Sequence, residues 1–529
     1  MLNVSERQRN LSPWQRLRPE LSTHAFNLDL GARTRSIVAM GGKALEVLYA
    51  KLDRGAHVTI AVLGASVAAH GGCFDQARAE CMAYNGVRMP TLPWGEPARR
   101  SHKGFLVRWF EWLNNTWPHP RHRLINGAVA AVPLQNYVEC LWNHLPPLDE
   151  LDLVVLELGS MADTLDPSVA ENIVRRLHRG TSSPLPIVFI TVRSWCRHEI
   201  GQGFSKTLSN AVSAPSRKRR IFWPGETTRW AVLEAEVSRV CHHYGQSCLS
   251  VYEATHDAVD AHELTLEDVA RDCLHPLYGR LGTEHLTDIL VHWTTLAARL
   301  HAGGFLSRGS IRFGKRYSLP RPLHASQEEV GPVSKCYSFG PPLPGEPRAQ
   351  WRTSNCVRGG GRLDGACSPV KEAECPKTDE TGTYLSRLPR VWVFCERSLA
   401  GRNKKRSPGI VGFTPGATAF LRLPPPSHSR DLPGGYARLH VALSYLTSYE
   451  HMGQALVRCH GWCSCDPQAI DAHRAAEERN NSVYRVHRFD LSGTNATYNA
   501  HACEIEIQVL PQTTSGEHKF KIQQLSIAA

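Results

Sequence analysis

The chain has 529 residues, of which 42% are hydrophobic, and a formal charge of +12. That length exceeds a single core, so two domains are expected. The basic runs Arg217–Arg220 and Lys404–Arg406 lie among Pro, Ser and Gly and read as solvated loops; with no helix-turn-helix, zinc-finger or RNP spacing, no nucleic-acid partner is expected, and with no stretch of about twenty apolar residues no membrane span is expected.

Residues 1–35 are polar, contain Pro13 and Pro19, and read as a flexible lead-in. Within 36–52, Ile37, Val38, Leu45, Val47, Leu48 and Leu52 fit a short amphipathic helix. Val58–Leu63 is a continuous apolar run, the pattern of a parallel strand buried on both faces. It ends in Gly64-Ala65-Ser66, a turn that lifts a hydroxyl onto the C-terminal rim of a sheet, where open α/β sheets bind ligands. Taken alone, Gly64-Ala65-Ser66 reads rather as a small-residue strand-to-helix turn with Ser66 as helix N-cap.

Further along, 103–112 reads as a buried helix, 123–126 as a short strand and 133–144 as helical. Strands are predicted at 151–157, 186–192 and 247–252, with helices at 168–178, 228–243, from 265, and over 283–300. This alternation predicts an α/β domain with a parallel sheet covered on both faces, over residues 36–302. From 303 to 385 the composition shifts to Gly, Pro, Ser and Arg, which reads as an irregular linker. From 386 to 529 the apolar period becomes two, as in Leu439, Val441, Leu443 and Tyr445, or Ile505, Ile507 and Val509; a β-sandwich-like domain is expected.

The second chemically informative stretch is Arg271–Pro276, which carries Asp272 and His275 three residues apart. In one loop, such a carboxylate orients the imidazole, leaving the other ring nitrogen to accept a serine proton. A turn-capping Asp beside a surface His is the bland alternative. Paired with Ser66 in chain order, the catalytic reading is the better one. Glu157 and Asp163 suggest a glycosidase carboxylate pair, but Glu157 ends a buried strand and is expected to hydrogen-bond around the site.

These blocks resemble the SGNH (GDSL-like) hydrolases, serine esterases with a flavodoxin-like three-layer α/β/α fold. The resemblance implies Ser66 as nucleophile, His275 as base and Asp272 as the acid that holds it. It covers about residues 55–300, with Gly-Ala-Ser where Gly-Asp-Ser is common. The family's oxyanion hole takes the serine N–H, a glycine N–H after the second strand and an asparagine side chain after the third. Here Asn126–Ala131 matches the second block, with Ala131 near the glycine position. In the third block, Met161 or Ala162 stands where the asparagine belongs, and neither side chain donates a hydrogen bond. Losing one such donor costs roughly 100- to 1000-fold in turnover.

The resemblance therefore implies an esterase acting on an ester or O-acetylated glycan through an acyl-enzyme, weakened at the oxyanion hole and needing no cofactor. The alternative is a catalytically impaired protein of the same fold that acts as a binding or scaffold module. The segments Ser444–Gly453 and Ser515–Lys521 are similar to those that accompany SGNH-like domains in algal and plant-type proteins; a glycan-positioning role for the sandwich is analogy alone.

Sixteen cysteines and the sequons at Asn3, Asn10, Asn114, Asn480 and Asn495 suggest an oxidising compartment, whereas residues 1–20 show no signal-peptide pattern. Cys459, Cys463 and Cys465 lack the paired spacing of a structural zinc site, so disulfides are expected, one of the three pairing with Cys503 or Cys395. No metal is expected, since no His-Glu-x-x-His helix is present.

Overall fold

The computed structural model describes residues 24–69, 104–129, 132–159, 168–179, 184–193, 195, 229–270, 275–276, 281–306, 319–324, 333–338, 351–353, 392–398, 405–423, 439–449, 451–461, 463–474, 482–493 and 503–528. They fall into two units.

The first unit holds a six-stranded sheet: β1 (Ile37–Ala39), β2 (Thr59–Leu63), β3 (Arg123–Asn126), β4 (Leu153–Leu158), β5 (Ile187–Thr191) and β6 (Ser247–Ser250). Its order is β1-β6-β5-β4-β2-β3. The strands β2 to β6 are parallel, and their order is the doubly wound flavodoxin-like one, with the switch point between β2 and its two neighbours. Alternation along the strands divides the core. Ile60, Val62, Leu153, Val155, Val188 and Ile190 pack into one cluster with the helices Lys43–Asp53, Phe105–Thr116 and Leu281–Ala302. Val154, Leu156, Ile187 and Phe189 are equally buried yet stand outside that cluster, on the opposite face. The helices Ser168–Arg179 and Arg229–Tyr244 pack against each other. Continuous apolar strands are the sequence trace of this two-sided burial.

Two details differ from the sequence reading. Ile37 and Val38 form an edge strand rather than the start of a helix, and β1 runs antiparallel to β6. Three residues are too few for either period to be distinctive, and Gly41-Gly42 separates them from the helix that follows. Residues 24–35 are also built into the unit. The buried Asp288 carboxylate accepts from His24 Nε2 at 2.7 Å and from the Asn27 and Leu28 N–H groups at 2.6 and 2.9 Å. Asp29 then caps the helix Leu30–Arg35.

The second unit is β-rich, and its named strands pair antiparallel. Its strands are β7 (Val333–Ser338), β8 (Trp351–Thr353), β9 (Val393–Ser398), β10 (Lys405–Gly412), β11 (Thr418–Leu423), β12 (Leu439–Thr447), β13 (Gln454–His460), β14 (Cys463–Ser464), β15 (Gln468–Asp471), β16 (Val483–Gly493), β17 (Cys503–Val509) and β18 (Phe520–Ala528). One sheet runs β14-β16-β12-β18-β10-β9, with β7 also on β18; the other runs β15-β13-β17-β11-β8. The edge of β18 away from β12 is shared: Phe520–Ile522 pair with β10, and Gln524–Ala528 pair with β7. The sheets meet face to face, because a Cβ on Gly412 of β10 would lie 2.7 Å from Val509 Cγ2 of β17.

Two strands, β7 and β8, come from within the Gly- and Pro-rich 303–385 stretch. Alternation also understates burial here. Ser444 on β12, on the face expected to be wet, is buried, as is its cross-strand partner Gln524 on β18, because the helix Leu134–Glu139 covers them: Asn136 Nδ2 donates to Ser444 Oγ at 2.5 Å, and Gln524 Nε2 donates to the Asn136 carbonyl at 2.7 Å. The disulfide Cys140–Cys336 links the residue after that helix to β7.

Cys459 pairs with Cys465 and Cys463 with Cys503, while Cys241–Cys248 lies in the first unit. Among the described residues, no His, Cys, Asp or Glu cluster has metal-binding geometry, and no helix is long and apolar enough to cross a membrane.

Candidate functional site

Ser66 stands directly beyond β2, at the switch point of the sheet. β2 is buried along its whole length, and Gly64 then turns the chain with φ +156°. A Cβ at Gly64 would come within 2.8 Å of Glu157 Cβ and 2.9 Å of Ala68 Cβ, so the turn lies too close to β4 for a side chain. Ser66 opens the short helix Ser66–Ala69 and is 8% exposed.

His275 reaches the serine from the far end of the unit. Its loop follows the helix Leu266–Val269, which starts with a Thr265–Asp268 capping box. Ala270 and Pro276 form an isolated bridge on either side of the histidine's loop. A Cβ on Gly282 would lie 1.8 Å from the Val269 carbonyl oxygen and 3.2 Å from Pro276 Cβ, so the loop is pressed against the start of Leu281–Ala302. In this frame Ser66 Oγ and His275 Nε2 are 2.7 Å apart. With the ring proton on Nδ1, Nε2 accepts from the serine hydroxyl, the arrangement a general base needs to take that proton.

Around the serine the backbone is braced from two strands. Glu157 Oε2, at the end of β4, accepts from the N–H groups of Ala65 at 2.9 Å and Ala68 at 3.3 Å. This is the supporting role expected of it. Asn126, at the end of β3, donates from Nδ2 to the Ala68 carbonyl at 2.9 Å and accepts from the Ala128 N–H at 3.0 Å. Its amide is thereby engaged in holding backbone. The Val129 N–H donates to the Gly64 carbonyl at 3.2 Å, which joins the loop after β3 to the serine turn. Gly159, beyond β4, has φ +107°, and a Cβ there would sit 2.2 Å from the Val192 carbonyl oxygen. The Gly159 carbonyl accepts from Trp230 Nε1 at 2.8 Å.

Of the residues singled out in the sequence, the structure brings Ser66 and His275 together. Asp272, Ala131, Met161, Ala162 and Asp163 lie outside the described residues. The role of Asn126 escaped the sequence reading, although an asparagine ending a parallel strand beside the serine strand was its available signal. The close approach of Gly127 to His144 also escaped it: a Cβ on Gly127 would lie 2.1 Å from the His144 carbonyl oxygen.

No protein-family model and no curated protein matches the chain. Among solved structures it is similar to a two-domain esterase (CEX) active on acetylated mannans, co-crystallized with mannopentaose, at 12% identity and TM-score 0.49, over 94% of this chain and 99% of that one. A second crystal structure of a two-domain esterase (CEX) active on acetylated mannans matches at 12% identity and TM-score 0.46, over 94% and 98%. A tail fiber protein from an E. coli phage matches at 10% identity and TM-score 0.28, over 95% of this chain and 50% of that one. At TM-scores below 0.5, function has to be read from the residues themselves.

Proposed function

We propose that the chain is a serine esterase of the SGNH type, acting on an ester or O-acetylated glycan. The observation that carries this reading is the 2.7 Å approach of Ser66 Oγ to His275 Nε2 at the switch point of the sheet. In the proposed reaction, Nε2 takes the hydroxyl proton as Oγ attacks the acyl carbonyl carbon. Asp272 holds the imidazolium that forms. The oxyanion is received by the N–H groups of Ser66 and Ala131.

Collapse of the tetrahedral intermediate breaks the ester C–O bond, and His275 returns its proton to the departing sugar oxygen. Water, deprotonated by the same ring, then releases the acyl group from Ser66. Met161 and Ala162 add no side-chain donor, so turnover is set roughly 100- to 1000-fold below that of a three-donor site. None of these steps calls for a cofactor.

The test is hydrolysis of p-nitrophenyl acetate and of acetylated oligosaccharides by the wild type, Ser66→Ala and His275→Ala. Each variant is expected to lose at least about 1000-fold in kcat. Wild-type turnover in Ser66→Ala overturns the proposal. Met161 and Ala162 favour the second reading, a non-catalytic module, which predicts the same background rate in all three proteins.

A further inference from the structure

We infer that Arg193 and Tyr252 form a subsite on the rim that carries Ser66, and that it takes the hydroxyl oxygens of a neutral sugar next to the acylated one; this rests on the esterase reading. Both residues belong to the α/β unit, and strand register places them on that rim. Leu63, Leu156, Phe189 and Cys248 form one continuous row across β2, β4, β5 and β6. Ser66 and Gly159 lie three residues beyond this row, and Arg193 and Tyr252 lie four beyond it. Since β5 is two strands from β2 and neighbouring strands are about 4.8 Å apart, the arginine stands about 10 Å along the rim from the serine. Between them β4 ends in Gly159, which carries no side chain.

The guanidinium is held from two helices. Its Nε donates to Glu234 Oε2 on the helix Arg229–Tyr244, and its Cζ lies 3.8 Å from the centroid of the Tyr252 ring, on the helix Val251–Asp260 that follows β6. Glu234 is itself fixed: it is 9% exposed, and its Oε1 accepts from Thr191 Oγ1 at 2.7 Å, at the end of β5. Anchoring through Nε and one ring face leaves the Nη N–H groups as a rigid fork of donors. Among the described residues these Nη groups have no hydrogen-bond partner, and the side chain keeps 11% exposure.

The charges around the fork select its ligand. Glu234 already balances the guanidinium. Burial raises the Tyr252 phenol above its usual value; Arg193 opposes the rise, and Glu253, Asp260 and Glu234 add to it. A carboxylate or sulfate on the ligand would thus bring a further anion to a place where acidic groups outnumber the cation. A sugar hydroxyl accepts the same N–H groups without that repulsion. A planar fork reaches two oxygens at once, which suits neighbouring hydroxyls of one sugar ring.

The experiment compares kcat and KM of the full chain, Arg193→Gln, Arg193→Lys and the control Arg239→Gln, which changes an exposed arginine on the same helix as Glu234. The probes are O-acetylated xylo- and manno-oligosaccharides and the corresponding O-acetylated methyl monosaccharides. The quantity read is the ratio of kcat/KM on oligosaccharide to kcat/KM on monosaccharide. Arg193→Gln is expected to lower this ratio about 10- to 100-fold, mainly through KM, as loss of hydrogen bonds from a charged donor does. Arg193→Lys should lower it by a smaller factor, because an ammonium keeps the charge without the fork. The control should keep the wild-type ratio.

An unchanged ratio in Arg193→Gln, or a wild-type ratio near one, overturns the inference. If Arg193→Gln does not fold, Arg193→Lys, which retains a cation beside Glu234, decides on the same criterion. Wild type that turns over acetylated oligogalacturonides faster than their methyl esters overturns the assignment to a neutral sugar. If Ser66→Ala retains wild-type turnover, the esterase reading fails. Calorimetric Kd values of the deacetylated oligosaccharides for wild type and Arg193→Lys then decide: binding weakened about tenfold in the variant supports the subsite, and equal binding overturns it.

Discussion

Glu157 Oε2 accepts the Ala65 N–H at 2.9 Å, so the last turn of β4 holds the residue that precedes Ser66. The same oxygen accepts from Ala68, two residues after the serine. The nucleophile turn is therefore set by a carboxylate buried at 2% exposure, in addition to its own strand. Glu157→Ala strands two buried N–H groups and is expected to cost about 2–4 kcal/mol, since a hydrogen bond to a charged group contributes about 1.5–3 kcal/mol. Thermal unfolding of the full chain measures this. Glu157→Gln keeps one acceptor and should recover part of the loss.

At Gly64, an added methyl would lie 2.8 Å from Glu157 Cβ and 2.9 Å from Ala68 Cβ. Gly64→Ala is expected to destabilise by about 1–3 kcal/mol, the usual cost of overpacking. It should also lower kcat more than it raises KM, because relief of the clash moves the Ser66 turn. Steady-state kinetics beside a melting curve separate the two effects.

His178 gives the α/β unit an acid-sensitive joint. The Ile187 N–H donates to Gln246 Oε1 at 2.8 Å, which turns the Gln246 amide nitrogen toward His178 Nε2 at 3.3 Å. That nitrogen must therefore be an acceptor, and burial pushes the imidazole pKa down to about 4 from 6.5. Between pH 6.5 and 4 the unfolded chain binds the proton and the folded chain does not, so stability falls as pH falls through this window. The loss is complete near pH 4 and amounts to about 3 kcal/mol for this residue. Urea titrations at pH 7 and pH 4.5 should show it, and His178→Gln should remove this residue's share, leaving that of His285 and His292, whose pKa burial also lowers to about 4.

Lys521 of β18 acts in the opposite range. Burial pulls its ammonium down from 10.5 to about 7. Between pH 7 and 10.5 the unfolded chain holds more protons, so the stability of the β-rich unit rises with pH across that window and is lowest below pH 7. Lys521→Met is expected to stabilise the unit at pH 6 by up to about 5 kcal/mol, with the gain shrinking toward pH 10. Melting curves at the two pH values test the sign.

The strands β2, β4 and β5 were legible because two-sided burial writes an uninterrupted apolar run into the sequence. Ser66 and His275, 209 residues apart, were legible as a pair because each ends or follows a predictable element. β1 was misread because Ile37 and Val38 fit a helix as well as a strand when only three residues pair. β7 and β8 were hidden among glycines and prolines, their partners β18 and β11 lying far along the chain. The buried outer face of β12 was illegible for a related reason: its cover, the helix Leu134–Glu139, comes from more than 300 residues earlier. The fit of Gly127 against His144 leaves no trace except a glycine.

The central claim is tested most directly by covalent labelling with a fluorophosphonate ester, followed by intact mass and peptide mapping. The account predicts one phosphonyl adduct per chain, on Ser66, formed with loss of fluoride and slowed at least about 100-fold in His275→Ala. No adduct on Ser66, or labelling at the same rate without His275, contradicts it.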